Sequence, residues 1–308
     1  MREYPLVSIV TLTYKKFDYI YDTIGSVLVQ NYPNIEYIIA DDGSDNFPKE
    51  EIEKFVSEHS KSNLKKFTIL HDEKNVGTVK NINRAYAYAQ GEYLMPLSGD
   101  DEFFNNSVVS RIVREFIKRD CDALTAMRVV CNEDLKPLYY LPHISDKKIL
   151  KKYDTAKKQY RAHITDRFCE CSSGSVLYLR KKKWEELGKF DEQYILLEDA
   201  PFFAKYLWEN NLEILYNVRA IYYRLGGVSN GMRNPLMVAD SNRYNQIERK
   251  KHFESLNTVD RMIIKYICDF NGEISLMSRI KVYLKNPVVF CMRFVKVIHE
   301  KYKIRMEK

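Results

Sequence analysis

The chain has 308 residues, 45% hydrophobic and 30% charged, which suits one large folded domain or two small ones and excludes a disordered protein. No stretch approaches the roughly 20 consecutive apolar residues of a spanning helix. The opening Met1-Arg2-Glu3-Tyr4-Pro5 lacks the pattern of a secretory leader. A cytoplasmic location is therefore expected, with reduced thiols at all six cysteines. Cys169-x-Cys171 is the one close pair and lacks the second pair of a zinc site. The net charge is +7, and from Arg279 to Lys308 nine cations face two anions. That segment carries the whole excess. The body is neutral, which argues against nucleic acid and for an anionic partner of the tail.

In chain order, residues 6–13 are a β-branched run that predicts a strand. Asp18 is placed to cap a helix with Ile20, Ile24, Val27 and Leu28 on one face. Residues 35–40 predict a second strand, ending in Asp41-Asp42-Gly43-Ser44-Asp45. Pro48 opens a helix with Ile52, Phe55 and Val56 inward, and residues 67–70 predict a third strand. Asn75-Val76-Gly77 turns into a helix over about 78–89, with Gly91 in the left-handed stop position. The short apolar run 93–97 suits a central strand covered on both faces, and it leads into Asp100-Asp101. This alternation predicts an α/β protein, a mostly parallel sheet flanked by helices. Its strand-to-helix loops, 11–15, 41–45, 71–77 and 98–101, converge on one edge, where such sheets bind ligands. Two adjacent carboxylates raise each other's pKa unless a cation sits between them. Mg²⁺ or Mn²⁺ with oxygen ligands is the natural one, above all where it also holds phosphates.

Beyond the Asp pair, Asn106 is expected to cap a helix with Val108, Val109, Ile112, Val113, Phe116 and Ile117 inward. A strand follows over 123–130. Residues 132–170 show no clean period. Their tyrosines (Tyr139, Tyr140, Tyr153, Tyr160) read as half-buried packing or as sugar-stacking groups. Ser172-Ser173-Gly174-Ser175 precedes a strand over 176–179 and a basic helix with Trp184 and Leu187. Glu198-Asp199 then opens a helix with a stripe of Phe202, Phe203, Tyr206 and Leu207. A strand over 220–224 ends at Arg224, and helices follow from Pro235 on. After Pro287, Arg293, Lys296, Glu300 and Lys303 make one narrow polar stripe. That segment either lies on an anionic membrane surface or packs on the domain.

Four pieces in order resemble the inverting glycosyltransferases of family 2, which have the GT-A (Rossmann-like) fold. They are Val7-Ser8-Ile9-Val10…Tyr14, Tyr37-Ile38-Ile39-Ala40-Asp41-Asp42-Gly43-Ser44, Asn75-x-Gly77-x-x-x-Asn81-x-Asn83-Arg84-Ala85 and Gly91-Glu92-Tyr93…Ser98-x-Asp100-Asp101. A later segment resembles the family's Gly-x-Phe-Asp-Glu, here Gly188 to Glu192, and Ala220 to Arg224 matches its Tyr-Arg strand. The resemblance implies a nucleotide-diphosphate-sugar donor, a UDP-sugar foremost, and a saccharide or lipid-linked saccharide acceptor in surface-polysaccharide synthesis (capsular or O-antigen type). It implies Asp42 on the base, with Leu12, Thr13 and Tyr14 in the same loop region. Asp100 and Asp101 would hold the ribose and a divalent metal (Mn²⁺ or Mg²⁺), and Asp199, beside Glu198, would be the catalytic base. A carboxylate at a helix N-terminus stays ionised, as a base must. Lys80 stands either near the diphosphate or in solvent, and Arg224 either contacts the phosphates or braces the site.

The chain departs from the family's Asp-x-Asp-Asp at Ser98, whose hydroxyl meets a ribose but balances no cation. It also lacks the His that often follows the Tyr-Arg strand, leaving water or Ser229 as the third metal ligand. These departures leave open a nucleotide-sugar-binding protein without transferase activity. A nucleotidyltransferase would want a glycine-rich loop after the first strand, and residues 13–17 contain no glycine. The expected division is a catalytic domain over 1–230, with a nucleotide-sugar-binding half over 1–105 and an acceptor half over 106–230. A basic helical C-terminal extension covers 231–308, with peripheral membrane contact, at the inner face of the cell membrane, as one use for it.

Overall fold

A computed structural model describes residues 4–168, 170–226, 234–269 and 276–291, together with 294, 295, 298 and 302. The first part alternates as expected: β1 (Val7–Thr13), α1 (Ile20–Leu28), β2 (Ile35–Asp41), α2 (Lys49–His59), β3 (Leu64–His71), α3 (Thr78–Tyr88) and β4 (Tyr93–Ser98). Then come β5 (Glu102–Phe103), α4 (Val108–Arg119), β6 (Ala123–Cys131), β7 (Pro137–Leu141), α5 (Lys147–Leu150), α6 (Ala156–Ile164), β8 (Tyr178–Arg180), α7 (Lys181–Glu186), α8 (Asp199–Glu209) and β9 (Glu213–Arg224). The C-terminal part holds α9 (Pro235–Gln246), α10 (Thr258–Asp269) and α11 (Leu276–Lys285).

One sheet runs β3-β2-β1-β4-β8-β6-β9-β5, with β7 paired to β6. The first four strands are all parallel, in registers that set Thr13 beside Asp41 and Leu12 beside Ser98. Those strand ends therefore share one edge. From β4 onward the pairing is mixed. β8 is antiparallel to both β4 and β6, β7 to β6 and β5 to β9, while β6 and β9 are parallel. Three strands separate β4 from β5 in this order, so a flat sheet would hold them about 19 Å apart, at about 4.8 Å per strand. The link between Ser98 and Glu102 reaches at most about 14 Å. The sheet must curl, and its far end returns toward Asp100 and Asp101.

Period-two burial builds a core on each face. Val7, Ile9, Tyr37, Ile39, Tyr93 and Met95 pack with α1, α2 and α4. Val10, Ile38, Ala40 and Leu94 pack with α3, α6 and α8. A smaller cluster joins Ile263, Tyr266 and Ile267 of α10 to Val282 and Val289.

Several local expectations change. Asp18 does not cap α1, which starts after Tyr19 without a side-chain cap. Asn106 does not cap α4. Asn105 takes the backbone N–H and hydroxyl of Ser107 there, and Ile117 is exposed. Gly91 has no left-handed backbone. It is glycine because a Cβ would lie 2.5 Å from the Ser8 nitrogen. Residues 132–170 contain β7, α5 and α6, and Tyr160 is core, edge-on to Trp208 at 5.0 Å. Residues 174–176 form a 3₁₀ turn ahead of β8. Cys121, Cys131, Cys171, Cys268 and Cys291 are free thiols. Cys169, Ser229 and the polar stripe of Arg293, Lys296, Glu300 and Lys303 lie outside the described residues. Among the described residues, no helix is long and apolar enough to cross a membrane.

Candidate active site

The ends of β1 and β2 are fixed by Asp41. Its buried carboxylate accepts from the Thr13 hydroxyl (3.0 Å), from the Ser44 amide and hydroxyl (both 2.7 Å), and pairs with His71 Nδ1 at 2.9 Å. The Ser44 hydroxyl oxygen in turn accepts from the Lys15 amide at 2.8 Å. Asp41 is thus consumed in shaping the edge, and Asp42 faces the space beside it. Each Asp42 oxygen accepts one backbone N–H, from Val76 at 2.7 Å and Gly77 at 3.0 Å. Burial raises its pKa, against those two hydrogen bonds. Gly77 has φ +93°, and a Cβ there would stand 2.6 Å from Ile195, so the turn that grips Asp42 is open to glycine alone. Leu12 is half-buried beside Ser98. Tyr14 is exposed, with the Lys15 ammonium 5.0 Å from its ring. Lys80 is exposed on the first turn of α3 and makes no hydrogen bond or ion pair among the described residues.

At the end of β4, Ser98 is half-buried and its carbonyl accepts the Asp101 amide at 3.0 Å. Asp101 is buried. Its Oδ1 accepts the Arg224 amide at 3.0 Å, and its Oδ2 has no partner. Burial and then the neighbouring Asp100 push the Asp101 pKa well up. Burial also raises Asp100, opposed by the charges of Arg224 and Lys16. Such a pair, half-buried at Asp100 and buried at Asp101 with an orphaned oxygen, fits a divalent cation that takes its remaining ligands from phosphate and water. No group of three or more His, Cys, Asp or Glu with metal-site geometry occurs among the described residues. The Arg224 guanidinium is spent on bracing. It donates to the Asp100 carbonyl (2.7 Å), the Glu102 carboxylate (2.6 Å) and the Glu133 carbonyl (3.3 Å), and it stacks on Tyr19 at 4.2 Å.

Across the curled sheet, Glu198 and Asp199 stand half-buried at the N-terminus of α8. Asp199 Oδ2 accepts the Gly174 amide at 2.9 Å, and Oδ1 the Ala200 amide at 2.7 Å. Burial raises its pKa, opposed by those amides and by the charge of Arg128. Glu198 has less help. Burial and the Asp199 charge push it up to about 8. Burial thus disfavours the charge on both, and the two amides and Arg128 oppose that rise at Asp199 more than anything opposes it at Glu198.

Arg128 acts on both carboxylate groups through its charge alone. It is buried on β6, donates to the Ser173 hydroxyl (2.8 Å) and the Glu170 carbonyl (3.1 Å), and lies over Tyr223. Its charge lowers the pKa of both Asp101 and Asp199. Sequence reasoning did not single it out, although a lone charge inside an apolar strand was the available signal. Lys16, which faces Asp100, was missed as well.

The loop before α8 is held from outside. Asp240 of α9 is buried, and its Oδ2 accepts the amides of Ile195 (2.8 Å), Leu196 (2.6 Å) and Leu197 (3.1 Å). The Ile195 carbonyl in turn accepts the Val79 amide at 3.1 Å. One clamp thus joins α9, the turn that grips Asp42 and the helix end that carries Asp199. A cavity of about 240 Å³ beside Asp199 is lined by Arg128, His163, Ser173, Tyr244 and Arg249. His163 Nε2 lies 2.9 Å from the Ala200 carbonyl and 3.0 Å from the Tyr244 hydroxyl, and burial lowers its pKa to about 4, so the imidazole is neutral.

Solved structures share this architecture. S. aureus TarS 1–349 superposes with a TM-score of 0.59 over 86% of this chain and 69% of that one, at 17% identity. The mannosyltransferase PcManGT from Pyrobaculum calidifontis, in complex with GDP-Man and Mn²⁺, gives 0.57 over 98% and 86%, at 13% identity. The fold is that of the GT-A glycosyltransferases. The profile described as Glycosyl transferase family 2 matches residues 8–182, more than half of the chain, and the chain belongs to that family. A Bacillus subtilis (strain 168) protein named as a teichuronic acid biosynthesis glycosyltransferase, TuaG, is 32% identical over 118 residues, 38% of this chain. An Escherichia coli (strain K12) protein named for colanic acid biosynthesis, WcaA, is 35% identical over 106 residues, 34% of this chain. The matched stretches span 44% and 36% of those relatives' own lengths.

Proposed function

We propose that this chain is an inverting glycosyltransferase, moving a sugar from a nucleotide-diphosphate sugar to an acceptor hydroxyl. The observation that carries the reading is the gathering of Asp42, Asp100 and Asp101 on one sheet edge, with Asp199 held at the N-terminus of α8 by the Gly174 and Ala200 amides. Asp42 keeps acceptor capacity for an N–H of the base. Asp100 takes the ribose, with Leu12, Thr13, Tyr14 and Ser98 around it, and Lys80 stands at the rim. Asp101, with Asp100, would hold a divalent metal (Mn²⁺ or Mg²⁺), which supplies charge neutralisation of the departing diphosphate. Asp199 takes the proton of the acceptor hydroxyl as that oxygen bonds the anomeric carbon. The bond from that carbon to the diphosphate oxygen breaks on the opposite face, and a nucleoside diphosphate leaves. One displacement inverts the configuration.

A UDP-sugar is the expected donor. A TarS structure holds UDP-GlcNAc and that of PcManGT holds GDP-Man, so the base is a matter for measurement. The names of TuaG and WcaA support a role in surface-polysaccharide synthesis, and a saccharide or lipid-linked saccharide acceptor met on the cytoplasmic side completes the reading. In this reading residues 1–105 bind donor, 106–230 bind acceptor, and 231–308 form the helical extension. The test is release of nucleoside diphosphate from UDP-, GDP- and dTDP-sugars in the presence of candidate acceptors, with Mn²⁺ or with EDTA. Release from one donor, lost with EDTA and lost in Asp199→Asn, is expected. Binding of nucleotide without release under any acceptor would sink the transferase reading.

A further inference from the structure

The described residues of α11 and of 286–291 turn one side inward. Val282 and Val289 are buried against Ile263, Tyr266 and Ile267 of α10. A second apolar row runs Met277, Ile280, Leu284, Val288, Val295 and Ile298, spaced by three, four or seven residues, and all six are exposed, from 41% at Ile280 to 75% at Leu284. Single exposed apolar residues are ordinary, but apolar residues recurring at these intervals on both sides of the break at Asn286 mark an interaction surface.

The charge beside the row selects its occupant. Lys281 and Lys285 are exposed on α11, and residues 279–308 carry nine cations against two anions. A second copy laid along this row would bring an equally cationic segment into contact, and like charges flanking an apolar seam oppose pairing. No described helix is long and apolar enough to cross a bilayer. An apolar row edged by lysines suits a helix lying in the plane of an anionic lipid interface, side chains in the acyl boundary and ammonium groups among the phosphates.

We infer that the exposed apolar residues Met277, Ile280, Leu284, Val288, Val295 and Ile298, edged by Lys281 and Lys285, dock this protein on an anionic lipid surface. The inference does not rest on the transferase reading, because vesicle binding is measured without donor or acceptor. The experiment is co-sedimentation of the full chain with vesicles of phosphatidylcholine alone and with about one third phosphatidylglycerol, at low and high salt. The anionic vesicles are expected to bind at least about tenfold more tightly, with the preference falling as salt screens it. Leu284→Asp with Val295→Asp should remove binding at an unchanged thermal midpoint. Lys281→Glu with Lys285→Glu, which leaves the apolar row intact, should remove the anionic preference. Equal binding to both vesicles, or to neither, overturns the inference. So does a concentration-dependent dimer that the double aspartate variant abolishes, since the face would then belong to a second copy.

Discussion

Asp199 and Glu198 share one helix end, and their surroundings differ. Asp199 has two amides and the Arg128 charge, while Glu198 is pushed to about 8. Replacing Asp199 by Asn should lower kcat/KM by about 10³-fold or more, with donor affinity by calorimetry unchanged. Because burial raises the Asp199 pKa, kcat/KM should fall on acidification at a pH above the usual carboxylate range. Arg128 holds that pKa down, so Arg128→Met should move this acid limb to higher pH and lower kcat by about 10- to 100-fold. An acid limb that stays in place would show that Arg128 does not act on Asp199. At this scale the positions of Asp42, Asp100, Asp101 and Asp199 at strand and helix ends were legible, since each stands in a local motif. Arg128 was not, because its partners Glu170 and Ser173 lie more than 40 residues away in sequence.

At the scale of elements, the helix that carries the proposed base is held by another helix. Asp240→Ala would leave the amides of residues 195–197 without their acceptor. The expected cost is about 2–4 kcal/mol, a thermal midpoint lower by roughly 3–6 °C. In a variant still folded, kcat should fall more than KM rises, since Asp199 loses its position. A stable variant with normal kinetics would remove Asp240 from the clamp. The helical run from Pro235 was legible, but this duty was not. A carboxylate that accepts amides from a distant loop leaves no period in its own helix. β7, α5 and α6 escaped for a related reason, being short or half-buried elements in which neither the strand nor the helix period repeats enough to register. Asp18 and Asn106 failed as caps because a capping residue type reports a tendency, and the turn geometry chose Tyr19 and Ser107 as the boundaries.

Across the whole molecule, donor binding should tie the sheet edge to the α8 end through the 195–197 loop. A nucleoside diphosphate with Mn²⁺ at about 100 times its Kd should add about 2.7 kcal/mol, raising the thermal midpoint by roughly 4 °C. Asp101→Asn should lose the metal-dependent part of that shift and Asp199→Asn should keep it. Equal shifts in both variants would remove Asp101 from the metal. By itself the sequence determined the alternating strands and helices, the family, and the edge on which three carboxylates gather. It could do so because burial periods are local, and consecutive parallel strands must end on the same side. Only the tertiary structure decided that the sheet curls, that Arg128 serves both carboxylate groups, and that α9 reaches back to set the loop ahead of Asp199. Those outcomes depend on which remote groups meet in a buried space, where charge and hydrogen-bond satisfaction are settled between partners far apart in the chain.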